Sequence, residues 1–239
     1  MRNSGNLIAF LTLALCTTLP IQGCKGTLCP SENADRILHS FVSDPGKGDQ
    51  EVFAACLDAG ANPNALFEAE TDPAGWTPLL LTAFGNAGDA SRQPSDRIWN
   101  ASSMEQVRLL LAHGADLKAK TPKGENALYL ASVAGRVPLM EFFLAKGLPV
   151  NMRTNEGKTP LYGALLYGRK DVVSLLLEKG ADPNVISKEN QSILDFAIVV
   201  ADQIEREGIR PTKEYDPRGV VEILKNHGAK SANDLNQKP

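Results

Sequence analysis

The sequence predicts an all-α solenoid of about five helix-turn-helix repeats with a 33-residue period and two inserted loops. Two phrases carry the prediction. The first is Gly-Ala-Asx-x-Asn or a close variant: GANPN at 60–64, GADLK at 114–118, GLPVN at 147–151, GADPN at 180–184 and GAK at 228–230, the middle three spaced 33 apart. The second keeps the same step: GWTPLLLTA from Gly75, GENALYLAS from Gly124, GKTPLYGAL from Gly157 and NQSILDFAI from Asn190. Self-similarity at a fixed period of this length is the signature of stacked repeats, each a unit that cannot bury its apolar face alone.

Within each unit the first helix begins at the second phrase. Thr77 and Thr159 can cap a helix through their hydroxyls, and Pro78 and Pro160 then occupy the first helical position, where a missing N–H costs nothing. Leu79, Leu128, Leu161 and Leu194 point into the stack. The second helix is apolar at its end, as VRLLLAHG, MEFFLAKG, VVSLLLEKG and VVEILKNHG. Gly60, Gly114, Gly147, Gly180 and Gly228 follow and can take the left-handed conformation that terminates it.

These residues resemble ankyrin repeats, whose unit is a turn and two antiparallel helices with a T-P-L-H-x-A signature. The resemblance covers about residues 33–230, expected to form one ankyrin-repeat domain followed by a tail at 231–239. The unit before Gly60 is degenerate, with Ala55 and Cys56 where later units carry Leu-Leu. Lys225 likewise replaces the third leucine seen at Leu111 and Leu177, so the outer two units act as caps. Two insertions break the period. Gly75 to Gly124 is 49 and Gly180 to Gly228 is 48, which places about 16 and 15 extra residues near 86–103 and 204–218. Both fall between the two helices of their repeat, on the edge opposite the turns. Long loops on a rigid scaffold are either functional or neutral surface elaboration, and Ile98 and Trp99 favour function in the first.

The N-terminus reads as an address. Arg2 is followed by the uncharged run LIAFLTLALCTTL at residues 7–19, a signal-peptide layout. Its 13 residues fall short of the about 20 a helix needs to cross a bilayer. Ile21, Gln22, Gly23 and Cys24 resemble a bacterial lipobox, although a smaller residue than Gln22 is usual there. The resemblance implies removal of residues 1–23, diacylglycerol on Cys24, residues 24–32 as a lipid-anchored linker, and membrane contact only through that anchor. Lys25 in place of Asp favours the outer membrane by resemblance to Gram-negative lipoprotein sorting. The competing expectation is a soluble secreted protein with Cys24 free or disulfide-bonded. Of the four cysteines, Cys16 leaves with the signal peptide and Cys24 takes lipid. In an oxidising compartment the remaining Cys29 and Cys56 form a candidate disulfide; two reduced cysteines are the alternative.

Loss of Arg2 takes the net charge from −3 to −4 over about 215 remaining residues, which leaves no nucleic-acid footprint and no polybasic membrane patch. No nucleophile elbow, Walker loop, zinc-protease or dinucleotide motif is present, so no catalytic residue, cofactor or metal is expected. His39, His113 and His227 belong to different repeats. His113 and His227 precede closing glycines, where an imidazolium complements a helix C-terminus.

Binding is the better-supported class. Carried over from the ankyrin pattern, the concave-face positions are Trp76 and Lys158 before the core motif, and Phe84, Val133, Leu166, Tyr167, Ile198 and Val199 after it. An open stripe of that kind marks an interaction site, unless part of it packs inward. The turn tips add the cations Lys120, Lys123, Arg153 and Lys188. The first turn, at 65–75, is acidic through Glu68, Glu70 and Asp72. Exported ankyrin lipoproteins of this size resemble immunity proteins that occlude a periplasm-acting antibacterial toxin, such as a lipase. The resemblance implies a protein partner and a monomer when unbound. A helper of a periplasmic enzyme such as a catalase, or a general envelope scaffold, are the other expectations.

Overall fold

The computed structural model describes Asp35, Leu38 and residues 50–67, 75–85, 97–166, 168–208 and 216–236. In chain order its helices are α1 (Gln50–Asp58), α2 (Pro78–Phe84), α3 (Arg97–Ala112), α4 (Ala127–Ala134), α5 (Val137–Ala145), α6 (Pro160–Leu166), α7 (Lys170–Glu178), α8 (Ile193–Arg206), α9 (Pro217–Asn226) and α10 (Ala232–Asn236). Among the described residues there is no strand, only two isolated bridges, Lys120 with Asn126 and Ile186 with Ser192, which close the turns of the third and fifth repeats.

Side chains set the helix starts. Thr77 caps α2 by accepting from Leu80 N, Asn126 caps α4 through Tyr129 N, and Ser192 caps α8 through Asp195 N. Thr159 accepts from Tyr162 N at 3.4 Å and opens α6 in the same way. At the other ends the five closing glycines have φ between 77° and 93°. The next residue then bonds back to the helix, as Ala115 N to Leu110 O and Ala181 N to Leu176 O. A Cβ at these positions would force a strained left-handed conformation.

Helices α2, α4, α6 and α8 form an inner layer packed on the outer layer α3, α5, α7 and α9. The core repeats with the sequence. Leu79, Leu128 and Leu161 are fully buried at one register of the inner layer, and Leu110, Phe143, Leu176 and Leu224 at one register of the outer. Cys56, also fully buried, fills that second register in the first repeat. Each such side chain contributes about 1.5–3 kcal/mol by leaving water.

One slot breaks the pattern. Where later repeats bury Leu139, Val172 and Val220, the second repeat buries Gln106, 1% exposed, whose Oε1 has no hydrogen-bond partner. An unsatisfied buried polar atom costs about 1–3 kcal/mol. Gln106→Leu is therefore expected to raise stability by about 1–2 kcal/mol, seen as a higher melting temperature. An unchanged or lower value would mean that the amide is satisfied in solution.

Part of each insertion is helical. The residue of α3 in register with Val137 and Lys170 is Met104, so residues 97–103 form about two extra N-terminal turns. Likewise α8 continues to Arg206, where α4 and α6 have only 8 and 7 residues. The reason is local: neither segment contains Gly or Pro, so the hydrogen-bond ladder propagates. Arg218 on α9 pairs with Asp202 and Glu205 and ties the extension of α8 to the solenoid.

An ion pair joins the first two repeats at the ends of α1 and α3. His113 Nδ1 lies 2.9 Å from Leu109 O, and Nε2 lies 3.2 Å from Asp58 Oδ1. Both partners are acceptors, so only the imidazolium satisfies both. The Leu109 carbonyl, with Asp58 adding to it, holds the pKa above the ordinary 6.5, against the opposing effect of burial. This contribution is complete below about pH 6.5 and is lost as pH rises through the folded-state pKa. Thermal melts should show native protein exceeding His113→Gln at about pH 5.5 and losing that margin by about pH 8. A margin independent of pH would contradict the assignment.

Candidate functional site

The inner helices and the turns before them build one face. The turns are stacked through backbone bonds, Asn155 N to Lys123 O at 2.9 Å and Lys188 N to Glu156 O at 3.2 Å. Lys120, Lys123, Arg153 and Lys188 are exposed along this edge. Arg153 also donates to Ile186 O at 3.4 Å, bridging adjacent turns. Glu156 stands among these cations. Its hydrogen bond with Lys158, 2.6 Å away, lowers its pKa most, and the charges of Lys158, Lys123 and Lys188 add to the effect. Lys158 is correspondingly raised by Glu156. The edge is therefore a row of cations partly neutralised by fixed carboxylates.

The apolar stripe is less open than its sequence pattern. Trp76 is only 7% exposed and meets Phe84 edge-on, ring centroids 5.4 Å apart. Val133, 9% exposed, packs inward because the next repeat has no side chain at Gly163, where a Cβ would stand 2.9 Å from Val133 Cγ2. Ile198 is half-buried against the core. Val199 is 55% exposed, and with Leu66 in the first turn it is one of two large apolar side chains open to this degree among the described residues. The side chain of Leu166, all of Tyr167, and Cys24, Cys29 and residues 68–74 lie outside the described residues.

A second aromatic pair, missed in the sequence, faces the same side. Tyr162 stacks on Phe196 with centroids 4.4 Å apart and planes 18° from parallel. Its hydroxyl donates to Gln191 Oε1 at 3.2 Å, and Lys158 Nζ sits 5.4 Å from its ring centroid. Burial pushes the Tyr162 phenol up from its ordinary value, so it stays a neutral donor. The available signal was the residue after each core leucine: Tyr129 and Tyr162 are one period apart, and the small Gly163 beside Tyr162 makes room for the Tyr129 ring. The face thus carries two anchored aromatic pairs, Trp76–Phe84 and Tyr162–Phe196, beside exposed Val199 and a cationic rim. In each pair one ring, Trp76 or Tyr162, is buried and the half-buried phenylalanine, Phe84 or Phe196, is the accessible part; aromatic side chains with a polar rim are what protein interfaces use.

Among the described residues no group of three or more His, Cys, Asp or Glu is placed to hold a metal ion, and no helix is long and apolar enough to cross a membrane. Residues 98–187 match the family model for ankyrin repeats, in three copies. No curated protein matches the chain. With further helices, α1 and α2 before that match and α8 and α9 beyond its end, the fold is an all-α ankyrin-repeat solenoid. The repeat class it defines is a scaffold for binding other proteins.

Proposed function

We propose that this scaffold works on the periplasmic side of a bacterial envelope, anchored through lipid on Cys24, and that it neutralises a periplasm-acting antibacterial toxin by covering its active site. The observation that carries the reading is the pairing of a lipobox-like Ile21-Gln22-Gly23-Cys24 with a solenoid whose inner face holds anchored aromatics. Two acyl chains suffice for stable tethering, whereas one is marginal. Residues 24–32 then serve as a short tether, and residues 33–230 as the binding domain. The buried Cys56 is disulfide-bonded, which supports export to an oxidising compartment and its pairing with Cys29. That bond would fasten the tether to the first repeat.

Occlusion needs no catalytic group on this chain, only a surface that outcompetes substrate access. The test is co-expression with the product of the neighbouring gene, followed by size-exclusion chromatography and a survival assay. A stable complex that restores growth is expected. Absence of both complex and protection would reject the immunity reading while leaving the scaffold intact. Release of the protein from membranes in Cys24→Ala would separately support the anchor.

A further inference from the structure

At the edge away from the turns, two arginines one period apart take the same pose. Arg136 and Arg169 stand in the links from inner to outer helix of the third and fourth repeats, each just after a glycine. Each reaches back over the glycine that ends the inner helix of the preceding repeat. A Cβ on Gly85 would overlap the Arg136 guanidinium, and one on Gly135 would stand 3.0 Å from Arg169 Nε and 3.2 Å from its Cζ.

Their acceptors differ. Arg136 Nη1 donates to Thr82 O at 3.1 Å and to Ser103 Oγ at 2.8 Å. In the register of Thr82 the third repeat has Ala131, whose carbonyl already accepts from Arg136 N at 2.9 Å. In the register of Ser103 it has Arg136 itself, a cation with no acceptor to offer. Arg169 is half-buried, and among the described residues its Nε is shut off from water without a hydrogen-bond partner and its guanidinium forms no ion pair. Carboxylates on the flanking elements are engaged elsewhere. Asp216 lies 3.5 Å from Lys170 Nζ and accepts from Gly219 N at 2.9 Å, while Asp202 and Glu205 pair with Arg218. Asp171, in the first turn of α7, is exposed and forms no ion pair with Arg169.

The helical parts of the two insertions flank these links. Residues 97–103 carry α3 past this edge at the second repeat, and the end of α8 passes it at the fifth, each by about 10 Å at the rise of an α-helix. Between them the third and fourth repeats turn through short links, 135–136 and 167–169. The edge is therefore a saddle with Arg169 on its floor.

We propose that Arg169 anchors a second binding site, which takes an aspartate or glutamate side chain from a loop of a protein partner seated in this saddle. The charge is complementary, and a planar guanidinium donates two parallel hydrogen bonds to a carboxylate. Packing against Gly135 orients the fork before the partner arrives, which lowers the ordering cost of binding. A cation partly removed from water without a counter-charge gains most from such a ligand, because pairing offsets the cost of its burial. The site lies at the opposite edge from the cationic turn tips, so it stands whatever the inner face binds.

The test follows the Arg169 Nε–H resonance of the full chain by NMR during titration with a short blocked peptide containing glutamates, and with its glutamine counterpart as control. A saturable shift at Arg169 with the glutamate peptide alone is the expected result. In Arg169→Gln, checked for helicity by circular dichroism and read at the Lys170 amide, affinity for that peptide should fall about tenfold, as for loss of a charged hydrogen-bond donor. Arg108→Gln, on the outer layer, should leave it unchanged. No saturable shift at Arg169 in the native chain, an equal response to the glutamine peptide, or undiminished affinity in Arg169→Gln would overturn the proposal.

Discussion

Phe143→Ala is expected to lower stability by about 3–5 kcal/mol, the ordinary cost of emptying a large aromatic slot in a closed core. Phe143 is fully buried on α5, in the middle repeat, at the register filled by Leu110 in the repeat before and Leu176 in the repeat after. The cavity would border interfaces on both sides, and in a linear array neither neighbour can collapse into it without losing its own contacts. Denaturant unfolding followed by circular dichroism measures the loss. A change under about 1 kcal/mol would mean that the layers are not packed as described.

The second large effect is expected at Arg136. The residue is 7% exposed, and burial pushes its pKa down to about 10, which leaves it charged at neutral pH. Removing it in Arg136→Ala takes the donor from Thr82 O and Ser103 Oγ and empties the space above Gly85, where a Cβ would overlap the guanidinium. The expected cost is about 2–4 kcal/mol, the sum of orphaned buried acceptors and lost packing. Arg136→Lys should recover little of it, because an ammonium does not fill the space against Gly85 that the planar guanidinium occupies. Full recovery by lysine would show that charge alone matters there.

The parts of this molecule legible in its sequence are those set by local chemistry at a fixed step. Thr77, Asn126, Thr159 and Ser192 announce helix starts because a short acceptor must precede the first turn. The closing glycines announce the ends because only they take positive φ cheaply. The register of Leu110, Phe143, Leu176 and Leu224 followed directly from counting back from those glycines. The helical parts of the insertions are not legible, since nothing in the period says that the flanking helices run on through residues 97–103 and to Arg206.

The binding face was harder, for a physical reason. Which of its side chains stay open depends on the neighbour one period away: Gly163 lets Val133 sink inward, Phe84 closes over Trp76, and Phe196 covers Tyr162. A stripe read one repeat at a time misses such pairs. Arg136 escaped notice for the same reason, because its partners Thr82 and Ser103 lie across an insertion whose length hides the register.

The claim that this inner face is the partner-binding surface is tested most directly by affinity purification from the producing cell's own envelope, with native protein beside a Phe84→Asp, Val199→Asp double variant that remains helical by circular dichroism. A protein partner retained by the native chain and lost from the variant is the expected result, because one introduced carboxylate meets each end of the apolar surface. Equal retention by both proteins would place the interface elsewhere and contradict the account.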